Sequence, residues 1–226
     1  GLRVLIGKRQ AIVSSNDRRV ATLGALVERV LALAKTVPED PYCGLADPSE
    51  LARDWPDLDL IDPQEPAPEV LIARAGAAED AARAVPGVTN TGGAGANFGR
   101  NAIALVTSHG FSGCYSATGH SIGASVVAGE GSRMQRDYAH RAPRFGEDMP
   151  SPAQIGRTAG ERAVARLDPA RIASKAMPVV FDPRVGNSLL GHLVQAISGQ
   201  PFARRSSFLL DRLEDELFAP ELRVLE

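Results

Sequence analysis

The stretch from Val88 to about Ala142 constrains this chain most. Glycines punctuate it, β-branched residues recur in it, and serine and threonine alternate with apolar positions, a pattern that suits pleated, half-buried strands rather than helices. It predicts three or four antiparallel strands in a meander, near 88–91, 98–107, 113–128 and 132–142. In SIGASVVAG, Ile122, Ala124 and Val126 fall on one face, and Ser121, Gly123, Ser125 and Val127 on the other. One face is therefore apolar and the other mostly small and polar. Such a sheet needs a cover on its apolar side.

The flanking segments supply helices. Leu23, Leu26, Val27, Val30, Leu33, Ala34 and Val37 recur at helical spacing, so residues 20–37 read as an amphipathic helix ending before Pro38. The alanine-rich run from Glu69 to Val85 has high helix propensity and small side chains that permit close packing. Ser151, Pro152 and Gln154 form a capping box opening a helix to about Leu167, and Asp47, Pro48 and Glu50 repeat that arrangement upstream. Residues 2–6 and 11–14 are short strand candidates around a turn at Gly7. Met177–Phe181 reads as a short buried strand. Asp182-Pro183 then leads into a helix whose apolar stripe, Val185, Leu189, Leu190, Leu193, Val194 and Ile197, predicts burial, with His192 on its flank. The proline-rich, acidic stretch DLDLIDPQEPAPE reads as a solvated connection.

Composition narrows the function classes. With 226 residues, 44% hydrophobic and 23% charged, the chain has the balance of a globular protein, and its net charge of -2 gives no electrostatic reason to expect nucleic acid. No apolar run reaches the ~18 residues of a membrane span. The two cysteines, Cys43 and Cys114, show neither metal-ligand spacing nor a disulfide framework, which suits a reducing cytoplasm. Each is expected to be a small, buried or half-buried side chain. The opening at Gly1 reads as part of a longer protein.

Several segments invite a chemical reading. The glycines from Gly92 to Gly99 are followed by a strand pattern rather than the helix N-terminus a phosphate loop needs, and no Lys-Ser/Thr pair closes them, so they predict a hairpin connection. His109, His120 and His140 lie in the β region with no spacing that requires a metal, although cross-strand neighbours can converge. Ser112, Ser116 and Ser121 have no nucleophile-elbow context. In GNSLLGHLVQAISG, His192 is a single histidine on a helix, with Asn187 five residues upstream. Spacing alone favours a histidine satisfied beside a core over a metal ligand.

The strings GFSGCYSATGHSIGASVVAGEG (110–131), MQRDYAHRAPRF (134–145), VVFDPRVGNSLLGHLVQAISG (179–199) and ARRSSFLLDRLEDELFAP (203–220) resemble the PmbA/TldE branch of the TldD/PmbA family, and residues 27–48 fit it as well. The resemblance implies a two-subunit cytoplasmic zinc metalloprotease acting on small unfolded peptides, a family also linked to modulation of DNA gyrase. In the TldD branch the equivalent helix carries His-Glu-x-x-x-His, two zinc ligands and a general base. Aligned on the shared Gly-His, Asn187 takes the place of the first histidine, Ser188 that of the glutamate, and His192 that of the second histidine. Zinc hydrolysis needs three protein ligands, a bound water and a carboxylate to carry its proton. The expectation is a degenerate site at Asn187, Ser188 and His192, with no catalytic residue, metal or cofactor of its own. Zinc is expected in a TldD-like partner subunit. A homo-oligomer is expected when the subunit is alone, and contact with nucleic acid or membrane is not. The alternative is a protein-binding or regulatory module, for example a gyrase modulator, without a protease assembly.

The implied fold class is α+β: an antiparallel β-sheet meander flanked by helices, plus partial N- and C-terminal subdomains. Residues 1–45 would be the end of the family's N-terminal domain, 46–176 its middle α+β domain, and 177–226 the start of its C-terminal domain.

Overall fold

The computed structural model describes residues 1–221 and 224, and the chain divides into two compact units, Gly1–Pro169 and Ala170–Glu226. The first opens with an antiparallel hairpin, β1 (Leu2–Ile6) and β2 (Arg9–Val13), in the register Leu2↔Val13 to Ile6↔Arg9. Gly7 turns it with φ +58°, a backbone conformation that favours glycine. Helix α1 (Val20–Thr36) packs on this hairpin and buries Val30 and Ala34; it stops where Pro38 forbids continuation. The capping arrangement at Asp47 builds only one tight turn, Pro48–Glu50. Asp47 Oδ1 accepts from the backbone N–H of Ser49 at 2.8 Å, but no apolar helical stripe follows to be buried.

The centre of this unit is a three-stranded antiparallel sheet in the order β3–β4–β5, formed by Val88–Val106, Ser112–Ala128 and Gln135–Arg141. Every second residue of β4 from Thr118 to Ala128 is buried, as alternation across a pleat demands. Helices α2 (Pro68–Arg83) and α3 (Pro152–Ala165) cover that face, and Ala78, Ala82, Ile122, Ala124, Val126, Ala139, Ile155 and Ala159 belong to one core cluster. The two helices approach each other very closely. A Cβ added at Gly156 would lie 1.9 Å from the backbone oxygen of Ala78. Ser151 caps α3 through its hydroxyl, which accepts from Gln154 N at 3.2 Å.

The glycine-rich segment is not a connection. Gly92 to Gly99 lies inside β3, which pairs with β4 from Val88↔Ala128 to Val106↔Ser112 with register shifts at 88/90 and 91/93. Gly93 sits beside the second shift at φ +100°. Small partners on β4, such as Ser125, Gly123 and Gly119, leave no bulk to refuse a glycine strand, so the pairing overrides the weak local propensity. The chain reverses instead at Thr107–Phe111, closed by Thr107 N–H to Phe111 O at 2.9 Å.

The second unit contains α4 (Pro183–Ile197) and the short α5 (Gly199–Ala203). Asp182 caps α4 by accepting from Arg184 N at 2.9 Å. Met177–Phe181 forms no strand, and Val180 is 96% exposed. A strand exists only with a hydrogen-bonding neighbour, and no strand is present among the described residues of this unit. The stripe on α4 also departs from expectation. Val185, Leu189, Leu190, Val194 and Ile197 are exposed within the chain, and Ala196 is the helix's buried residue. Periodicity reports that a face seeks cover, not that this stretch of chain supplies it.

Candidate functional site

The helix that carries the zinc-site resemblance presents its three positions to solvent: Asn187, Ser188 and His192 are all exposed. Ser188 and His192 are four residues apart and share a helix face. The Ser188 hydroxyl donates to Val185 O at 2.6 Å. Among the described residues, no group of three or more His, Cys, Asp or Glu side chains is placed to hold a metal ion.

The three histidines of the β region do not meet. His109 lies in the reversal between β3 and β4, beyond the start of β4 at Ser112, which is itself about 27 Å along the strand from His120 at ~3.4 Å per residue. His140 pairs with Gly123, on the opposite pleat face from His120. The cysteines differ from each other: Cys43 is buried, but Cys114 is exposed on β4.

What the structure does assemble is a buried pair that local patterns miss. His120 Nε2 lies 2.9 Å from Asp62 Oδ2, and both residues are more than nine-tenths buried. Asp62 also accepts from Gly146 N at 2.7 Å and Gln64 N at 2.8 Å, while its own N–H donates to Thr118 Oγ1 at 2.7 Å. These backbone donors, Gly146 first, and then His120 hold the Asp62 carboxyl below its ordinary range. The Phe98 ring stacks at a tilt on His120, with centroids 4.9 Å apart. The result is a latch across three segments: the arm before α2, strand β4, and the tight turn Gly146–Asp148. β5 pairs only with Ile122–Ala128 of β4, and the arm occupies part of the edge beyond it, with Thr118 N donating to Leu60 O at 2.9 Å. Asp62 belongs to the proline-rich stretch expected to be solvated, and its partner lies 58 residues away. No spacing rule reaches that far.

The arm also walls two cavities. One, of about 1110 Å³, lies between residues 55–61 and the far end of the β3–β4 hairpin, and includes Leu58, Ile103, Leu105 and Tyr115. The other, of about 420 Å³, includes Arg53, His109 and Ser112. Trp55 and Phe111 line both, with ring centroids 6.3 Å apart.

Comparison with known proteins agrees with this architecture. Residues 61–167 match the PmbA/TldA metallopeptidase central domain, and residues 174–226 match the PmbA/TldA metallopeptidase C-terminal domain. The chain is 36% identical to Metalloprotease PmbA of Escherichia coli over 227 aligned residues, covering 100% of this chain and 50% of that protein. A crystal structure from Bacteroides thetaiotaomicron, described as a candidate modulator of DNA gyrase, superposes with a TM-score of 0.85 at 24% identity, covering 95% of this chain and 50% of that one. TldE from Thermococcus kodakarensis superposes with a TM-score of 0.58 at 19% identity, covering 92% and 47%. These two likenesses concern the fold. The chain spans about half the length of the relatives it matches. With the central and C-terminal domain matches together running over most of its length, the chain belongs to the PmbA/TldD family and is PmbA-like within it.

Proposed function

We propose that this chain is part of a non-catalytic, PmbA/TldE-type subunit of a two-subunit cytoplasmic zinc metalloprotease, which acts on small unfolded peptides together with a zinc-bearing TldD-like subunit. The observation that carries this reading is the donor set on α4. Asn187 offers a neutral amide, Ser188 a hydroxyl engaged with Val185 O, and His192 alone offers an imidazole. These residues do not fit catalytic zinc. The amide is a poor ligand, and the hydroxyl at its ordinary acidity cannot take a proton from a bound water as a carboxylate does. Hydrolysis would therefore be supplied by the partner, and this subunit would contribute fold, interface and peptide contacts. The relative's name as a metalloprotease supports the class of reaction and leaves the division of labour to experiment.

The test is metal analysis and peptide cleavage on the purified full-length protein, alone and mixed with a TldD-like subunit. Less than about a tenth of an equivalent of zinc and no cleavage alone, with cleavage in the mixture, is the expected result for a site that has lost a histidine ligand and its general base. Stoichiometric zinc and peptidase activity in the isolated protein would overturn the reading.

A further inference from the structure

Two cavities of opposite chemistries share Trp55 and Phe111 in their walls. On the apolar side, Trp55, Leu58, Leu105 and Tyr115 leave more than half of their area exposed around a single groove. Grouped apolar exposure of that kind marks a binding surface more often than scattered exposure does. The groove's volume, about 1110 Å³, lies just above the ~300–1,000 Å³ typical of ligand pockets. Next to it, the smaller cavity carries the cation Arg53, which makes no ion pair or hydrogen bond among the described residues. His109 in the same wall has both ring nitrogens out of solvent and without a hydrogen-bond partner. A neutral imidazole always has one N–H to donate, and leaving it unmet is unfavourable, so a turn of the ring toward an acceptor bound in the cavity would relieve it.

Charge selects the occupant and its direction. Asp57 and Asp59 line the apolar groove, so an anion is repelled there and attracted to the Arg53 end. Arg144, the cation of the groove itself, donates to Thr118 O at 3.2 Å and offsets only one of these two carboxylates. This distribution disfavours a polyanion and fits a chain end with one negative charge followed by apolar side chains. We infer that the two cavities act as one trough that binds the C-terminal end of an extended apolar peptide, with its carboxylate held by Arg53 and His109 and its last side chains in the groove beside Trp55 and Tyr115. The choice of a peptide as occupant rests on the peptide-handling reading above. The site itself lies in the first unit, on different elements from α4.

Trp55 is the one tryptophan of this chain and lines both cavities, so its fluorescence reports occupancy directly. The experiment titrates the full-length protein, without partner, with N-acetyl-Ala-Ala-Leu-Phe as the free acid and as the C-terminal amide, subtracting the signal of a Trp55→Phe variant. The free acid should give a saturable change, and the amide should bind roughly tenfold or more weakly, as loss of a charge-assisted contact implies. Arg53→Ala, a change at an exposed residue that leaves the core intact, should weaken the free acid by a similar factor and leave the amide unchanged. His109→Leu should weaken the free acid as well. Equal binding of acid and amide, no saturable binding of either, or indifference of the acid to Arg53→Ala would each overturn the inference. Mixing the unsubstituted protein with the zinc-bearing subunit, beside its own binding titration, separates the two proposals. Cleavage in the mixture with no acid-selective binding would defeat the trough alone, and acid-selective binding with no cooperation in cleavage would defeat the subunit reading alone.

Discussion

Asp62 shows how much one carboxylate can organise. It gathers two backbone amides and an imidazole, and so ties the arm to β4 and to the turn at Gly146. Asp62→Asn would leave one of these donors facing an amide N–H₂, and a fall in Tm of roughly 5 °C at neutral pH is expected from the loss of such buried contacts. The pH dependence has a definite sign. Since the folded carboxyl titrates below its ordinary value, its contribution is complete above the unfolded value of about 4 and disappears as pH falls through the folded value. Melting curves of wild type and Asp62→Asn should therefore run parallel from about pH 7 to 5 and converge below about pH 4. A gap that widens in acid would show that the carboxylate is not the stabilised form. Nothing in the sequence around Asp62 announced this role. Prolines and neighbouring acids are the signature of a solvated connection, and the partner that buries this one comes from a distant strand.

At the scale of elements, helix pairing and sheet register explain most of the fold's specificity. Gly156 and Gly160 of α3 let the backbone of α2 approach to contact, and a methyl group at either position would press on Ala78 O or on the Val85 side chain. Gly156→Ala is expected to cost about 3 kcal/mol through overpacking, read as a drop in Tm of roughly 10 °C. Gly24 of α1 is the control: it has open space where a Cβ would go, so Gly24→Ala should stabilise by about 0.5–1 kcal/mol through helix propensity. If both changes had the same effect in chemical denaturation, close packing of α2 on α3 would not be the reason for the glycines. The extents of α1, α2 and α3 were legible from apolar period, proline position and the Ser151 cap, because each depends on residues within a turn or two of one another. β3 was misread for the complementary reason. Its glycines weaken it locally, and it is held by a ladder to β4 reaching from Val88↔Ala128 to Val106↔Ser112.

Across the whole molecule, the division after Pro169 is the feature most open to direct test. Residues 170–182 are exposed and without regular secondary structure, and include Arg171 and Lys175. Brief trypsin treatment should cut there first and release the preceding unit with its sheet signal in circular dichroism intact; early cleavage inside β3 or β4 would contradict the division. The apolar stripe of α4 belongs to the same scale. Its period was right, yet its leucines and valines are half-exposed within the chain, so what they pack against is not encoded in the helix's own spacing. The sequence by itself determined the α+β class, the helices and their caps, the buried face of β4, the donor set Asn187, Ser188 and His192, and membership of the PmbA/TldD family. All of these are written in residue identities or in periods of two to four residues. Only the tertiary structure decided that Asp62 would meet His120, that the glycine run would be a strand, that Met177–Phe181 would remain unpaired, and that Trp55 would line two cavities. Each of those depends on what a distant part of the chain brings alongside, and contact between distant segments is fixed by packing and hydrogen-bond satisfaction in three dimensions.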